Sequence, residues 1–375
     1  MQHIKKMIAN QLVNMSGWTT SNKIVVIESD DWGSVRMPSV SAYEYLLKAG
    51  IPVNKSPYCL YDNLCSSEDI QLLFATLRKY QDAQGHHPII TANAVMTNPD
   101  FQKIKDSAYE NYHYETIDRT FSRVFPNSNP MDIWSEGQRQ NLFFPQFHGR
   151  EHINVPFWLD KLRKADPVFT KAFEVGCSGI SSDVYAKYPK SVQASFDYDN
   201  GEDLDFMKES IVDGLQIFEQ LFGFKSKSFI PNNYIWPAEL NKILTQNGVD
   251  YMQGMKYRLL PKTAQTQTRQ MVKRANGQVE DGLLQTVRNV QFEPALLPDN
   301  QKQDAVKACM QQIAASFFWK KPAIITMHRI NFCGSLHSEN RDSNLKMFDQ
   351  LLSEITQRWP EVIFMDTVSL AKTIK

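Results

Sequence analysis

Short apolar runs alternate along this chain with longer stretches in which apolar residues recur every three or four positions. Eight short runs read as buried strands, at residues 23–28, 88–96, 142–147, 226–230, 249–253, 286–292, 323–327 and 362–365. Pro145 weakens the third and Pro231 closes the fourth. Helical periodicity is clearest over 67–80, 157–164, 201–221, 238–246, 304–319 and 344–358. This alternation predicts an α/β fold with a parallel sheet. Seven or eight strands favour a closed or nearly closed barrel over an open sheet. Two stretches, 97–141 and 256–282, are too long for simple connections and read as inserted loops. The second carries Lys256, Arg258, Lys262, Arg269, Lys273 and Arg274, which fits a solvated surface or contact with an anionic glycan. The whole of 1–375 reads as a single domain.

Composition narrows the function classes. Of 375 residues, 42% are hydrophobic and 22% charged, as in an ordinary globular protein. Lys plus Arg balances Asp plus Glu at 41 each, so no net charge draws the chain to nucleic acid or an anionic membrane. The five cysteines, Cys59, Cys65, Cys177, Cys309 and Cys333, form no CxxC pair, which argues against a disulfide framework and a cysteine-based zinc site. Ile4, Met7, Ile8, Leu12 and Met15 fall at helical spacing, predicting a short amphipathic helix packed on the domain rather than a signal peptide. No apolar run reaches the roughly 18 residues a membrane span needs. A cytoplasmic protein without membrane or nucleic-acid partners is expected.

Three features carry chemistry. Asp30-Asp31 follows an apolar strand directly, where parallel α/β folds place reactive side chains, although Asp also caps helices and fills turns. His148 and His152 are four apart, so on a helical turn they would share one face and grip one metal ion; a surface pair is the plainer reading. Glu151 directly before the second histidine is not the HExxH order of a thermolysin-like protease. His328 ends the strand at 323–327, where a lone histidine is more often structural. Together, one carboxylate and two histidines complete a metal set with positions left for water and substrate.

These residues resemble the polysaccharide deacetylase family. Glu28-Ser29-Asp30-Asp31-Trp32-Gly33 is similar to its Thr-Phe-Asp-Asp-Gly motif, and His148-Gly-Arg-Glu-His152 matches the spacing of its His-Ser/Thr-x-x-His motif. Phe229-Ile230-Pro231-Asn232-Asn233 stands where the third motif belongs, and residues 324–328 resemble the last, Leu-x-Leu-x-His. The resemblance implies a NodB-like (β/α)7 barrel, a distorted TIM-type fold, here with long inserted loops. It implies that Asp31, His148 and His152 hold one divalent metal, that Asp30 is the general base and that His328 is the general acid. Asn232, Tyr234 and Trp236 would bind substrate. Zinc is the expected ion, and iron, cobalt, nickel and manganese suit the same donors. The family arginine that pairs with the base aligns with Ile230, leaving Arg36, Arg150 and Arg329 as replacements from elsewhere. The gap from Asp31 to His148 is also longer than in the family.

The implied reaction is hydrolysis of acetyl groups on an N- or O-acetylated sugar or polysaccharide, with a bell-shaped pH profile set by an ionised Asp30 and a charged His328. One rival is a glycoside hydrolase using Asp30 and Glu151. Another is a carbohydrate-binding protein without catalysis, with Trp32 and Trp236 as aromatic platforms.

Overall fold

The computed structural model describes residues 10–180, 188–263 and 268–374. Its main sheet has ten strands: β1 (Ile24–Trp32), β2 (Ile90–Ala94), β3 (Phe143–Phe147), β4 (Ser228–Phe229), β5 (Tyr251–Gly254), β6 (Val279–Glu280), β7 (Leu283–Val287), β8 (Val290–Gln291), β9 (Ala323–His328) and β10 (Ile363–Met365). The spatial order is β6-β7-β5-β4-β3-β2-β1-β9-β8, with β10 on β1, and every pairing except β6 with β7 is parallel. All nine residues of β1 are buried, so its run of Ile and Val faces protein on both sides, as a central parallel strand requires.

The sheet curls into an open barrel. Val287 in β7 pairs with Gly254, while Val290 in β8, three residues on, pairs with Ile325 at the other edge. The single strand expected over 286–292 is therefore split. Asn289 replaces the ladder there: its backbone N–H donates to Ile324 O, its side-chain oxygen accepts from Ile324 N–H, and its amide donates to Pro322 O. This break sets Arg288 between the two edges of the curl.

The other seven expected strands are present, most of them within two residues of the expected ends. The clear helices also form, the longest being Gly201–Phe222, capped by Asn200 and ended by Gly223 in a left-handed conformation. Residues 97–141 are not an irregular loop. They hold a small hairpin and the helices Phe101–Asp106, Ile117–Val124 and Pro130–Arg139, anchored by buried Trp134. Within 256–282, the hairpin Tyr257–Leu259 with Met271–Lys273 stands beside β6. Of the expected N-terminal helix, residues 1–9 lie outside those described, and Leu12 and Met15 are exposed rather than packed. No helix among the described residues is long and apolar enough to cross a membrane.

The main core lies between sheet and helices. A second apolar cluster, including Met37, Leu46, Val53, Trp158, Phe169 and Cys177, joins residues 37–59 to 153–192. It supports one wall of the cavity at the carboxyl ends of the strands.

Candidate metal centre

The carboxyl end of β1 is irregular. Its register against β2 shifts between Ser29 and Trp32, and Asp31 has a left-handed backbone (φ 71°). A bulge of this kind re-aims successive side chains. Asp30 and Asp31, both buried, consequently serve different partners.

Asp31 faces the two histidines. Its Oδ1 lies 3.3 Å from His148 Nε2 and 3.0 Å from His152 Nε2. The histidines do not sit on a helical turn as expected. They come from the loop after β3, bent at Gly149 (φ 115°), with ring centroids 5.2 Å apart. Neighbouring strands hold this loop: His148 N–H donates to Ala94 O, and Asn232 Nδ2 donates to His148 O.

The donor chemistry fits a cation. His148 Nδ1 lies 2.8 Å from Ile230 O, and a carbonyl can only accept, so Nδ1 carries the proton. In the neutral ring, Nε2 then presents a lone pair to the Asp31 carboxylate, which also only accepts. A cation between them resolves the conflict, and a backbone bond on the far nitrogen is the usual orienter of a ligating histidine. Burial holds His152 below its ordinary pKa, which favours the neutral ligand form. Burial would raise Asp31, but the two imidazoles outweigh it and hold its carboxyl well below the usual range. Asp31, His148 and His152 thus form a buried group that could hold a metal ion.

Asp30 turns the other way, into a charge network. Arg288 Nη1 donates to its Oδ2 at 2.6 Å and Nη2 to its Oδ1 at 2.7 Å, with Asn93 Nδ2 adding a bond of 2.7 Å to Oδ1. Burial pushes Asp30 upward, but Arg288 outweighs it and brings the pKa down to about 2. The Nε of Arg288 binds Glu28, whose other oxygen accepts from Thr367. Burial leaves Glu28 above its ordinary value despite Arg288. The cation partner of Asp30 is therefore Arg288, not Arg36, Arg150 or Arg329. Arg150 pairs with Glu151 and Asp213, and Arg329 with Asp62. One signal was available in the sequence: an arginine inside the apolar stretch 283–292 must be paired if that stretch is buried.

His328 stands opposite Asp30, with Nε2 3.9 Å from Asp30 Oδ2. Its Nδ1 is 2.5 Å from Glu293 Oε1, and Asn331 Nδ2 bonds the other Glu293 oxygen. Burial would lower His328, but Glu293 and, behind it, Asp31 and Asp30 raise it well above its ordinary value. Glu293 was not singled out from the sequence.

These groups open on one cavity of about 280 Å³, lined also by Arg36, Tyr58, Gln193, Asn233 and Tyr234. Asn232 is fully buried behind it, holding the His148 loop. Trp236 lies in the core between Phe196 and Phe229, its indole N–H on Asn241. Trp32 is equally buried, so neither tryptophan is open as a platform. Both Glu151 oxygens are bonded to Arg150, and Ser210 adds a bond to Oε1; Glu151 does not line the cavity.

A second buried group that could hold a metal ion, Cys65, Asp69 and Cys333, departs from the expectation of no cysteine-based site. Its donors are already engaged. Asp69 caps a helix through Ser66 and pairs with Arg341, while Cys333 donates to Asn63 O.

No family model matches the chain, and no curated protein matches it. Solved structures do. A putative glycoside hydrolase/deacetylase from Parabacteroides distasonis is 8% identical with a TM-score of 0.50, covering 94% of this chain and 71% of that one. A probable polysaccharide deacetylase from Pseudomonas aeruginosa PAO1 is 9% identical with a TM-score of 0.46, covering 94% and 91%. A 4-alpha-glucanotransferase from Thermococcus litoralis is 8% identical with a TM-score of 0.44; the match covers 94% of this chain but only 40% of that enzyme's length. At these identities the likeness concerns fold alone.

Proposed function

We propose that this chain is a metal-dependent hydrolase that removes acetyl groups from an N- or O-acetylated sugar or polysaccharide. The observation that carries the reading is the convergence of two separately supported groups on one cavity. Asp31, His148 and His152 form a donor set, and beside it a carboxylate held ionised by Arg288 faces an imidazole held charged by Glu293.

A divalent ion bound by Asp31, His148 and His152, zinc first and iron, cobalt, nickel or manganese by the same donor chemistry, would polarise the acetyl carbonyl and a water. Asp30 Oδ1 is filled by Arg288 and Asn93, while Oδ2 accepts only from Arg288 and keeps a lone pair to take the water proton as the new C–O bond forms. Its low proton affinity suits it to orient that water rather than to hold the proton in the resting state. His328, with Nδ1 engaged by Glu293, has its Nε2 proton free for the departing amine or hydroxyl. In the loop after β4, the Tyr234 N–H is spent on Pro231 O, which leaves the cavity-lining Asn233 as the backbone donor for the oxyanion. Tyr234 and Asn233 line the substrate side, and Trp236 and Asn232 support it from below.

The glycosidase reading needs a second free carboxylate, and Glu151 is engaged elsewhere. The binding-protein reading needs open aromatic rings, and Trp32 and Trp236 are buried. The test is acetate release from acetylated oligosaccharides by protein purified without chelator or histidine tag, with metal content measured on the same sample. Metal-loaded protein that frees reducing ends but no acetate from any acetylated glycan overturns the proposal.

A further inference from the structure

Arg36 is left over once Arg288 is assigned to Asp30. It lines the cavity, half-buried, with its guanidinium 4.9 Å from the ring centre of Tyr58. Its two nearest carboxylates, Asp31 and Asp62, are 3.6 and 3.7 Å away, beyond hydrogen-bonding reach. Its buried Nε faces Asp62 Oδ2 at ion-pair distance, and neither atom has a hydrogen-bond partner. Gln193, on the same cavity and almost fully buried, has an amide nitrogen that is likewise without a partner.

Buried donors are nearly always satisfied by a hydrogen bond. A cavity-lining cation held by its carboxylates only at ion-pair distance, beside an unsatisfied amide, marks a place where a ligand supplies acceptors. We infer that the substrate carries a carboxylate, as on a uronic acid residue, and that Arg36 and Gln193 bind it. A guanidinium offers a planar fork that matches a carboxylate, and its charge favours an anion over a substrate that brings only hydroxyls.

The three arginines of the basic stretch, Arg258, Arg269 and Arg274, do not compete for this role. Arg258 and Arg274 are buried and share Glu280, and Arg269 is paired with Asp197. Anion recognition belongs to the cavity instead. This inference names the substrate class for the hydrolase proposed above and rests on the same cavity.

The experiment compares methyl β-glucuronoside with methyl β-glucoside, which differ at one carboxylate and carry no acetyl group. Dissociation constants are measured by NMR titration on the full chain. The glucuronoside binds about tenfold tighter to the parent protein, as one charge-assisted contact gives. That ratio falls to about one in Arg36→Met, and Gln193→Ala lowers it in the same direction. Equal affinity of the two sugars, no saturable binding of the glucuronoside, or an unchanged ratio in the variants overturns the inference. If Arg36→Met does not fold, Gln193→Ala decides the matter alone. Because neither sugar can be deacetylated, failure here is distinct from failure to release acetate.

Discussion

Asp30 and His328 are register partners on neighbouring parallel strands, and Asp30 Oδ2 lies 3.9 Å from His328 Nε2. Each has its own counter-charge, Arg288 for the first and Glu293 for the second. Two groups of opposite charge at this separation favour each other's ionised form, and the separate counter-charges add to that. With separate partners they remain a carboxylate and an imidazolium at the same moment.

Asp30→Asn and His328→Ala each therefore lower kcat by roughly 10²–10⁴-fold, the usual worth of a positioned acid or base. Metal content measured by mass spectrometry stays that of the parent. Full turnover in Asp30→Asn with metal bound removes it from the mechanism.

Glu293 bonds His328 and does not line the cavity. The activity that depends on a protonated His328 is lost as pH rises through its pKa, which Glu293 and the site carboxylates raise above the ordinary 6.5. Glu293→Gln therefore moves the alkaline limb of the kcat profile toward lower pH. An unmoved limb means that another group sets it.

On the proposed function, loss of a metal ligand acts differently. Asp31→Ala, His148→Ala and His152→Ala each lower the bound metal, and chelator treatment of the parent abolishes acetate release until a divalent ion is restored. The comparison of zinc with iron, cobalt, nickel and manganese in that restoration identifies the working ion. Metal content unchanged in Asp31→Ala would sink the ligand assignment.

Much of this arrangement was legible in the sequence, and the missing parts share a cause. Strand ends, the Asp30-Asp31 pair and the spacing of His148 and His152 are local features, so periodicity and spacing reveal them. The partners of those residues are not local. Arg288 is 258 positions from Asp30, and it reaches it only because Asn289 breaks the expected strand and the sheet curls there. Glu293 is 35 positions from His328 and follows the same break. Trp236 illustrates the opposite limit: its position beside the third motif suggested the pocket, but its backbone direction places the ring in the core. Strand periodicity does not say which side of a loop faces a cavity.

Arg288 is also a stability element. Its charge sits among Glu28, Asp30, Thr326 and Gln253, fully buried. Replacing it with Met leaves two buried carboxylates without their cation, which costs about 3–5 kcal/mol. Urea denaturation of Arg288→Met reads this directly, and Arg288→Lys, which keeps charge but not the fork, recovers part of it. A midpoint unchanged in Arg288→Met would show that the network carries no stability.

Glu280 gives the acid-side prediction. It pairs with Arg258 and Arg274, both buried, and so joins the 257–273 hairpin to the edge of the sheet. Burial works to raise Glu280, but the two arginines outweigh it and hold its carboxyl below the ordinary 4.5. The unfolded chain therefore binds this proton more readily than the folded one. The stabilisation is complete above about pH 4.5 and is lost as pH falls through the lower folded value. Hydrogen exchange of the hairpin amides should quicken, relative to the intrinsic rate, as pH drops through that window in the parent. In Glu280→Gln the hairpin should exchange faster at neutral pH and show no further acid-dependent loss from this position. Identical protection in parent and variant at pH 7 would mean that the arginines hold the hairpin through other contacts.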